Sequence, residues 1–368
     1  MKILVVSPKN KTVFNFRGDL IRDMIARGHE VMVTGPNRDY VDDVLALGVA
    51  RFIEVPFVKD NTSVSGDLAY FRKLKQIMTE EKPDLVFGYT IKPVVYGSLA
   101  AKSAGVPNIY AMVTGLGRVY ASGGLKAKAV RMVTKVLYRQ AFKACRKVIF
   151  QNKDDIRELV DQKYLPEAKT VQVNGSGVNM ERFSRVPLPE KPVFLMVSRI
   201  IREKGVLEYC QAARALRAAY PQGRCILLGG FDSSIGALKK EDIQPYIDDG
   251  SIEFPGEVKD PVSFYRECAV FVLPSYYREG LPRTILEAMS CGRAVITTDW
   301  PGCREPIEDG VNGFMVPVRD WKALAEKMMA LANDRALLEH MADSAYETCK
   351  SKYEISIVNG QMRAFLEY

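Results

Sequence analysis

The sequence predicts an α/β protein with two doubly wound parallel sheets in tandem. Three observations predict it. Short β-branched runs alternate with helical patterns of about 10–20 residues from the first residue onward, as βα units around a parallel sheet do. The alternation breaks once, at a proline-rich stretch, and then restarts. The length of 368 residues suits two domains of roughly 100–200 residues, each large enough to bury its own core.

The elements follow in order. Strands are expected at 2–7 (KILVVS), 30–35 (EVMVTG), 84–89 (DLVFGY), 108–113 (NIYAMV) and 147–152 (KVIFQN), with helical periodicity over 18–28, 66–81 and 122–145. In the stretch 185–192, Pro187, Pro189 and Pro192 deny the chain both helix and sheet interior. That stretch is read as a linker between a first domain, 1–185, and a second, 192–352. Strands resume at 193–198, 224–230, 251–256, 269–275 and 294–299, and the segments 320–332, 334–350 and 353–367 read as helices. Doubly wound sheets bind ligands at the carboxyl ends of their strands, so both domains are expected to face a central cleft.

Composition narrows the class. With 47% apolar and 26% charged residues, the chain is neither disordered nor collagen-like. Its seven cysteines form no C-x-x-C pair and lie in apolar or helical segments, as buried reduced thiols do. Only His29 and His340 are available, little material for a zinc site or a Ser-His-Asp triad. The apolar run Ile3–Val6 is too short for a signal peptide, and no stretch approaches the ~20 apolar residues of a membrane span. A cytoplasmic location is expected.

The net charge of +8 is unevenly spread: residues 1–170 carry +11 and the remainder −3. Between Asp84 and Asp154 there are twelve basic residues and no acidic one. Within that window Lys128, Arg131, Lys135, Arg139 and Lys143 recur at spacings of three and four, one face of a helix. Like charges so spaced destabilise a helix, so an anionic partner is expected for this face. No nucleic-acid module signature appears, and the expected partner is an anionic membrane surface, at ~1 kcal/mol per nearby cation.

The most specific stretch runs from Ser275 to Gly292 (SYYREGLPRTILEAMSCG). After a strand ending at Leu273-Pro274, Pro282 suits the first turn of a helix and Gly292 its end. Glu279 therefore precedes the helix and Glu287 lies within it. A helix N-terminus suits a phosphate, and the carboxylates then suit neutral sugar hydroxyls. In a second stretch, VSRIIREKG (197–205), Arg199 leaves the first strand of the second domain and Lys204 lies near the following helix. Such cations suit a diphosphate, at about 1.5–3 kcal/mol per charge-assisted hydrogen bond.

Taken together, the pair Glu279/Glu287 in E-x7-E spacing, GLPRTILEAMSCG, VSRIIREKG, VNGSGVNMERF (173–183) and RGHEV (27–31) resemble the signatures of the retaining GT-B glycosyltransferases of family four. The resemblance spans nearly the whole chain and implies two Rossmann-like domains. It also implies a UDP-sugar donor held by the second domain: Arg199 and Lys204 neutralise the diphosphate, Glu279 with Gly280, Leu281 and Pro282 holds the sugar, and Glu287 takes the ribose hydroxyls. Val258 is implied as a base contact, Gly18 as the first-domain approach to the diphosphate, and the last helix, 353–368, as crossing back to the first domain. The first loop, PKNKTVFNFRG, offers Gly18 where many members have a glycine pair.

Where many members carry a histidine, this chain reads Val113-Thr114-Gly115-Leu116-Gly117. That is similar to bacterial enzymes adding N-acetylhexosamines, notably N-acetylgalactosamine, to polyprenyl-diphosphate-linked sugars in cell-surface glycan assembly. Thr114, Gly115 and Arg17 are the acceptor-side candidates. Catalysis is assigned to Arg199, Lys204 and Glu279, peripheral on the inner face of the plasma membrane. No D-x-D triplet occurs, so no metal and no cofactor are expected. A sugar-nucleotide epimerase on the same scaffold is the alternative, disfavoured by the two poorly placed histidines. A dinucleotide-dependent oxidoreductase would want a third glycine after Gly175-Ser-Gly177 or Gly115-Leu-Gly117, and a nucleic-acid binder would leave Glu279 and Glu287 unexplained.

Overall fold

A computed structural model describes residues 1–57, 64–117, 125–232 and 236–368, without the side chains of 125–131 and 133. The chain divides into two units, Met1–Ser176 with Ser356–Tyr368 and Gly177–Ile355.

The first unit contains β1 (Lys2–Val6), α1 (Asn10–Phe16), α2 (Gly18–Ala26), β2 (Glu30–Gly35), α3 (Val41–Leu45), β3 (Arg51–Glu54), α4 (Val64–Glu81) and β4 (Leu85–Tyr89). A π-helical turn, Pro93–Gly97, then leads into α5 (Ser98–Ser103), β5 (Asn108–Val113), α6 (Leu125–Ala144), β6 (Lys147–Phe150), α7 (Lys153–Asp161) and β7 (Thr170–Gln172). The seven strands form one sheet, ordered β3-β2-β1-β4-β5-β6-β7, with every pairing parallel. Successive side chains of a strand point to opposite faces, and β1 shows the result. Leu4 and Val6 join the core on one face, Ile3 and Val5 the core on the other. Burial on both faces is why these strands read as unbroken apolar runs.

The second unit contains β8 (Val193–Val197), α8 (Val206–Ala219), β9 (Arg224–Leu228), α9 (Lys240–Asp248), β10 (Glu253–Gly256), α10 (Val262–Glu267), β11 (Val270–Leu273), α11 (Arg283–Ser290), β12 (Ala294–Thr298), β13 (Gly313–Val316), α12 (Trp321–Asn333) and α13 (Arg335–Lys352). Its six parallel strands are ordered β10-β9-β8-β11-β12-β13. In both sheets the first strand lies beside the fourth, so the direction of winding reverses between β1 and β4 and between β8 and β11. Ligand crevices form at such reversals.

The final helix, α14 (Ile355–Leu366), packs in the first unit. Val358, Met362 and Leu366, spaced by four, join the core that holds Leu20 and Met24 of α2. Arg363 pairs with Asp23 at 3.0 Å and Asn359 donates to the Asp19 carbonyl at 3.3 Å. The boundary between units falls at Ser176/Gly177, earlier than the proline-rich stretch 185–192 where the sequence predicts the linker. Val178 and Phe183 are buried in the second core, and Ser290 Oγ donates to the Phe183 carbonyl at 2.7 Å. Pro187 and Pro189 therefore cross the surface of the second unit, and Pro192 is buried just before β8. Arg293 fastens one of them, donating from its buried guanidinium to the Pro187 carbonyl at 3.3 Å.

Three strands escaped the sequence reading: β3, β7 and β13. All three are sheet edges, where one side of the strand is unpaired and a long apolar run is not needed. All seven cysteines are buried and reduced.

Candidate functional site

In the second unit the loops following β8 and β11 flank the winding reversal. The first carries Arg199 and then a 3-10 turn, Arg202–Lys204. Gly205 ends this turn at φ +76°, and a Cβ there would lie 2.1 Å from the Pro274 carbonyl oxygen. Only glycine allows both that backbone and that approach. The second loop is stitched to the first: Tyr276 N–H donates to the Glu203 carbonyl at 2.8 Å and Ser275 Oγ to the same oxygen at 3.3 Å.

This stitching brings Lys204 against Glu279, Nζ donating to Oε1. The Ser275 hydroxyl shares its one proton between the Glu203 carbonyl and this carboxylate oxygen, 3.2 Å away. The pair is mostly buried, at 12% and 16% side-chain exposure. Gly302 closes the loop from behind at φ +82°, where a Cβ would meet the carbonyl oxygens of Glu279 and Gly280 at 2.6 Å. Tyr277, which the sequence reading passed over, lies 5.9 Å from Lys204 Nζ and 5.7 Å from the Arg199 guanidinium. Nothing in its local sequence marks that position.

Arg199 sits beyond the end of β8 as expected, but half-exposed and 2.5 Å from Asp232. Burial works against its charge, and Asp232 outweighs that, holding its pKa above the ordinary value. An arriving anion would have to share Arg199 with Asp232.

Gly280, Leu281 and Pro282 lead into α11. Pro282 is the residue before the helix, not within its first turn, because its ψ of 113° is extended. Cys291 caps the far end and Gly292 follows at φ +72°, ending the helix as read from sequence. The Tyr265 hydroxyl donates to one carboxylate oxygen of Glu287 at 2.9 Å, and Arg283 forms an ion pair with the other, Nε to Oε1 at 3.3 Å. Desolvation raises its pKa, opposed by Arg283 and by the Tyr265 hydrogen bond. Tyr265, fully buried on α10, is a second residue the sequence did not reveal. Val258 follows β10 and packs partly buried against the core.

In the first unit the reversal between β1 and β4 is lined by hydroxyls. Tyr89 Oη bonds Ser7 Oγ at 3.0 Å and Thr12 Oγ1 at 3.1 Å. Arg17 is buried over the Tyr89 ring, 5.1 Å from its centroid, and donates to Ser176 Oγ at 2.9 Å. Thr114 and Gly115 follow β5, with Gly115 at φ +108°. Gly18 opens α2, as the helical periodicity from residue 18 predicts, and a Cβ there would press on Leu47 at 3.2 Å. The short helix α1, Asn10–Phe16, lies between it and the end of β1.

Of the five basic residues on α6, Arg139 and Lys143 are exposed, and Lys135 lies 5.4 Å over the Tyr164 ring. The side chains of Lys128 and Arg131 lie outside the described residues. Among the described residues no helix is long and apolar enough to cross a membrane.

These features accord with comparisons to known proteins. Residues 179–348 match the family described as glycosyl transferases group 1, and residues 2–152 that described as glycosyl transferase 4-like. The chain is 29% identical over 359 residues to the N,N'-diacetylbacillosaminyl-diphospho-undecaprenol alpha-1,3-N-acetylgalactosaminyltransferase of Campylobacter jejuni, spanning 94% of this chain and 93% of that protein. It is 27% identical over 345 residues to the UDP-Gal:alpha-D-GlcNAc-diphosphoundecaprenol alpha-1,3-galactosyltransferase of Escherichia coli, spanning 89% and 83%. Among solved structures, sucrose-phosphate synthase from Thermosynechococcus elongatus superposes with a TM-score of 0.82 at 19% identity, covering 100% of this chain and 98% of that one. Anabaena Alr3699/HepE in complex with UDP gives 0.79 at 20%, covering both chains fully.

Proposed function

We propose, from the premise that this chain is a GT-B glycosyltransferase of the group 1 and 4-like families, that it moves an N-acetylhexosamine from UDP to a polyprenyl-diphosphate-linked saccharide. The observation that carries the reading is the Lys204–Glu279 pair at the winding reversal of the second unit, next to the segment Gly280–Pro282 and the held carboxylate of Glu287. The two relatives named above, whose names both specify alpha-1,3 transfer to a diphospho-undecaprenol-linked sugar, support the acceptor class.

Breaking the anomeric C–O bond leaves negative charge on the departing diphosphate. An ammonium has three donors, and Glu279 engages one of those of Lys204, which leaves this cation equipped to bind phosphate oxygens as charge develops. Arg199 assists, in competition with Asp232. Glu279 accepts from sugar hydroxyls and Glu287 from the ribose. We read the reaction as retaining, by front-face attack: the acceptor hydroxyl forms the new C–O bond while its proton passes to the leaving phosphate oxygen. That step asks for no protein base and no metal. Thr114, Gly115 and Arg17 are read as acceptor-side groups. The basic face of α6 is read as docking on the anionic inner leaflet, which makes the enzyme peripheral and cytoplasmic.

A donor panel tests the proposal: UDP- and GDP-sugars, each with a polyprenyl-diphosphate-linked sugar, with and without EDTA, following released nucleotide. We expect UDP release from a UDP-N-acetylhexosamine only when acceptor is present, unaffected by EDTA. Interconversion of UDP-sugars without UDP release would place the chain among epimerases instead.

A further inference from the structure

The first unit holds an open, solvent-facing cavity of about 500 Å³ between the second half of α6 and the segment joining α7 to β7. Its walls are apolar and its rim is cationic. Val160, Tyr164, Leu165 and Pro166 supply the former, and Arg139, Lys143, Lys163 and Lys169 the latter. Among the described residues no carboxylate lines it and none of these four cations is in an ion pair.

The backbone is arranged to hold this shape. Lys163 lies in the left-handed region at φ +58°, a conformation that costs a lysine energy and persists only where its surroundings impose it. Here Arg139 Nε donates to the Lys163 carbonyl at 2.7 Å, and Tyr164 N–H to the Leu159 carbonyl at 2.8 Å. The turn buries Tyr164 and Leu165 and leaves the Lys163 side chain exposed. Lys169 donates to the carbonyls of Phe142, Lys143 and Cys145, which neutralises the negative end of α6 that would otherwise repel an anion. One and two turns before Arg139, Val136 and Met132 are 51% and 66% exposed. The helix thus presents apolar side chains beside the cationic rim.

We infer that this cavity is a site for one anionic phospholipid, its phosphate at Lys143, Lys163 and Arg139 and the start of an acyl chain against Val160 and Leu165. Charge complementarity and an apolar interior together select an anionic amphiphile over a free anion. The inference rests on the membrane-facing reading of the first unit and sharpens it from a diffuse charged face to a discrete pocket.

Titrating the full chain with dihexanoyl-phosphatidylglycerol below its micelle concentration tests this, with dihexanoyl-phosphatidylcholine and inorganic phosphate as controls. One saturable equivalent of phosphatidylglycerol is expected. The double variant Lys143→Glu/Lys163→Glu, both residues exposed, should weaken it more than about tenfold, since each nearby cation is worth roughly fivefold at an anionic headgroup. Val160→Phe, which fills the cavity and keeps every charge, should weaken it too, with melting temperature as the check on folding. Equal binding of phosphatidylcholine, binding of phosphate as tight as of the lipid, or an unaffected Val160→Phe would overturn the inference. Sugar transfer to a short-chain acceptor in vesicle-free buffer is scored separately: its absence while lipid binding persists would count against the proposed reaction and not against this site.

Discussion

Replacing Lys204 with methionine keeps the length of the side chain and removes its charge. Lys204 is 12% exposed and its ammonium meets Glu279, so the loss occurs where solvent screens little. A charge-assisted hydrogen bond to phosphate contributes about 1.5–3 kcal/mol, and a charge pair at about 4 Å in an effective dielectric near 20 contributes about 4 kcal/mol. Taking about 3 kcal/mol for the transition state gives a fall of roughly 160-fold in kcat/KM. The single change also strands the Glu279 carboxylate. Breaking a buried pair costs about 3–5 kcal/mol of stability, and this pair's residual exposure puts it at the lower end. The double variant Lys204→Met/Glu279→Gln removes the stranded charge, so its melting temperature should recover while its turnover does not. Released UDP at varied donor concentration, with melting curves for all three proteins, separates the two effects. If Lys204→Met keeps kcat/KM within about fivefold of the parent, the cation does not stabilise the leaving diphosphate and the reasoning fails.

Three further outcomes are expected. Gly205→Ala should destabilise the second unit by at least about 1–3 kcal/mol from its φ of +76° alone, and more from the approach to Pro274, read as a lower melting temperature with loss of UDP binding. The raised pKa of Glu287 means its carboxylate forms only above the usual range. If the ionised form accepts the ribose hydroxyls, UDP affinity should rise with pH through that raised pKa, and Glu287→Gln should flatten the profile in a titration series; an unchanged profile would remove Glu287 from the ribose. Arg17→Gln, in the first unit, should lower kcat/KM for the lipid-linked acceptor by about 10-fold or more, from about 1.5–3 kcal/mol for a charged hydrogen bond, with UDP affinity unchanged; a loss of UDP affinity instead would refute its acceptor-side assignment.

The reach of the sequence differs from element to element. The central strands announce themselves because burial on both faces demands continuous apolar runs such as Ile3–Val6 and Val270–Leu273. Edge strands β3, β7 and β13 do not, since pairing on one side relaxes that demand. Helix α1, Asn10–Phe16, carries no long apolar stripe and was not legible, so the sequence did not show that a helical turn separates β1 from Gly18.

Local pattern by itself determined the class of fold, the two-unit architecture, the acid-free basic window and the spacing of Glu279 and Glu287, for these depend on residues near one another in the chain. Tertiary structure alone decided that Lys204 meets Glu279 across 75 residues of sequence, that Tyr265 grips Glu287 from 22 residues away, and that Asp232 shares Arg199. The physical reason is the order of the sheet. Placing β8 beside β11 sets two distant loops over one crevice, and no spacing within either loop encodes which side chain of the other it will touch.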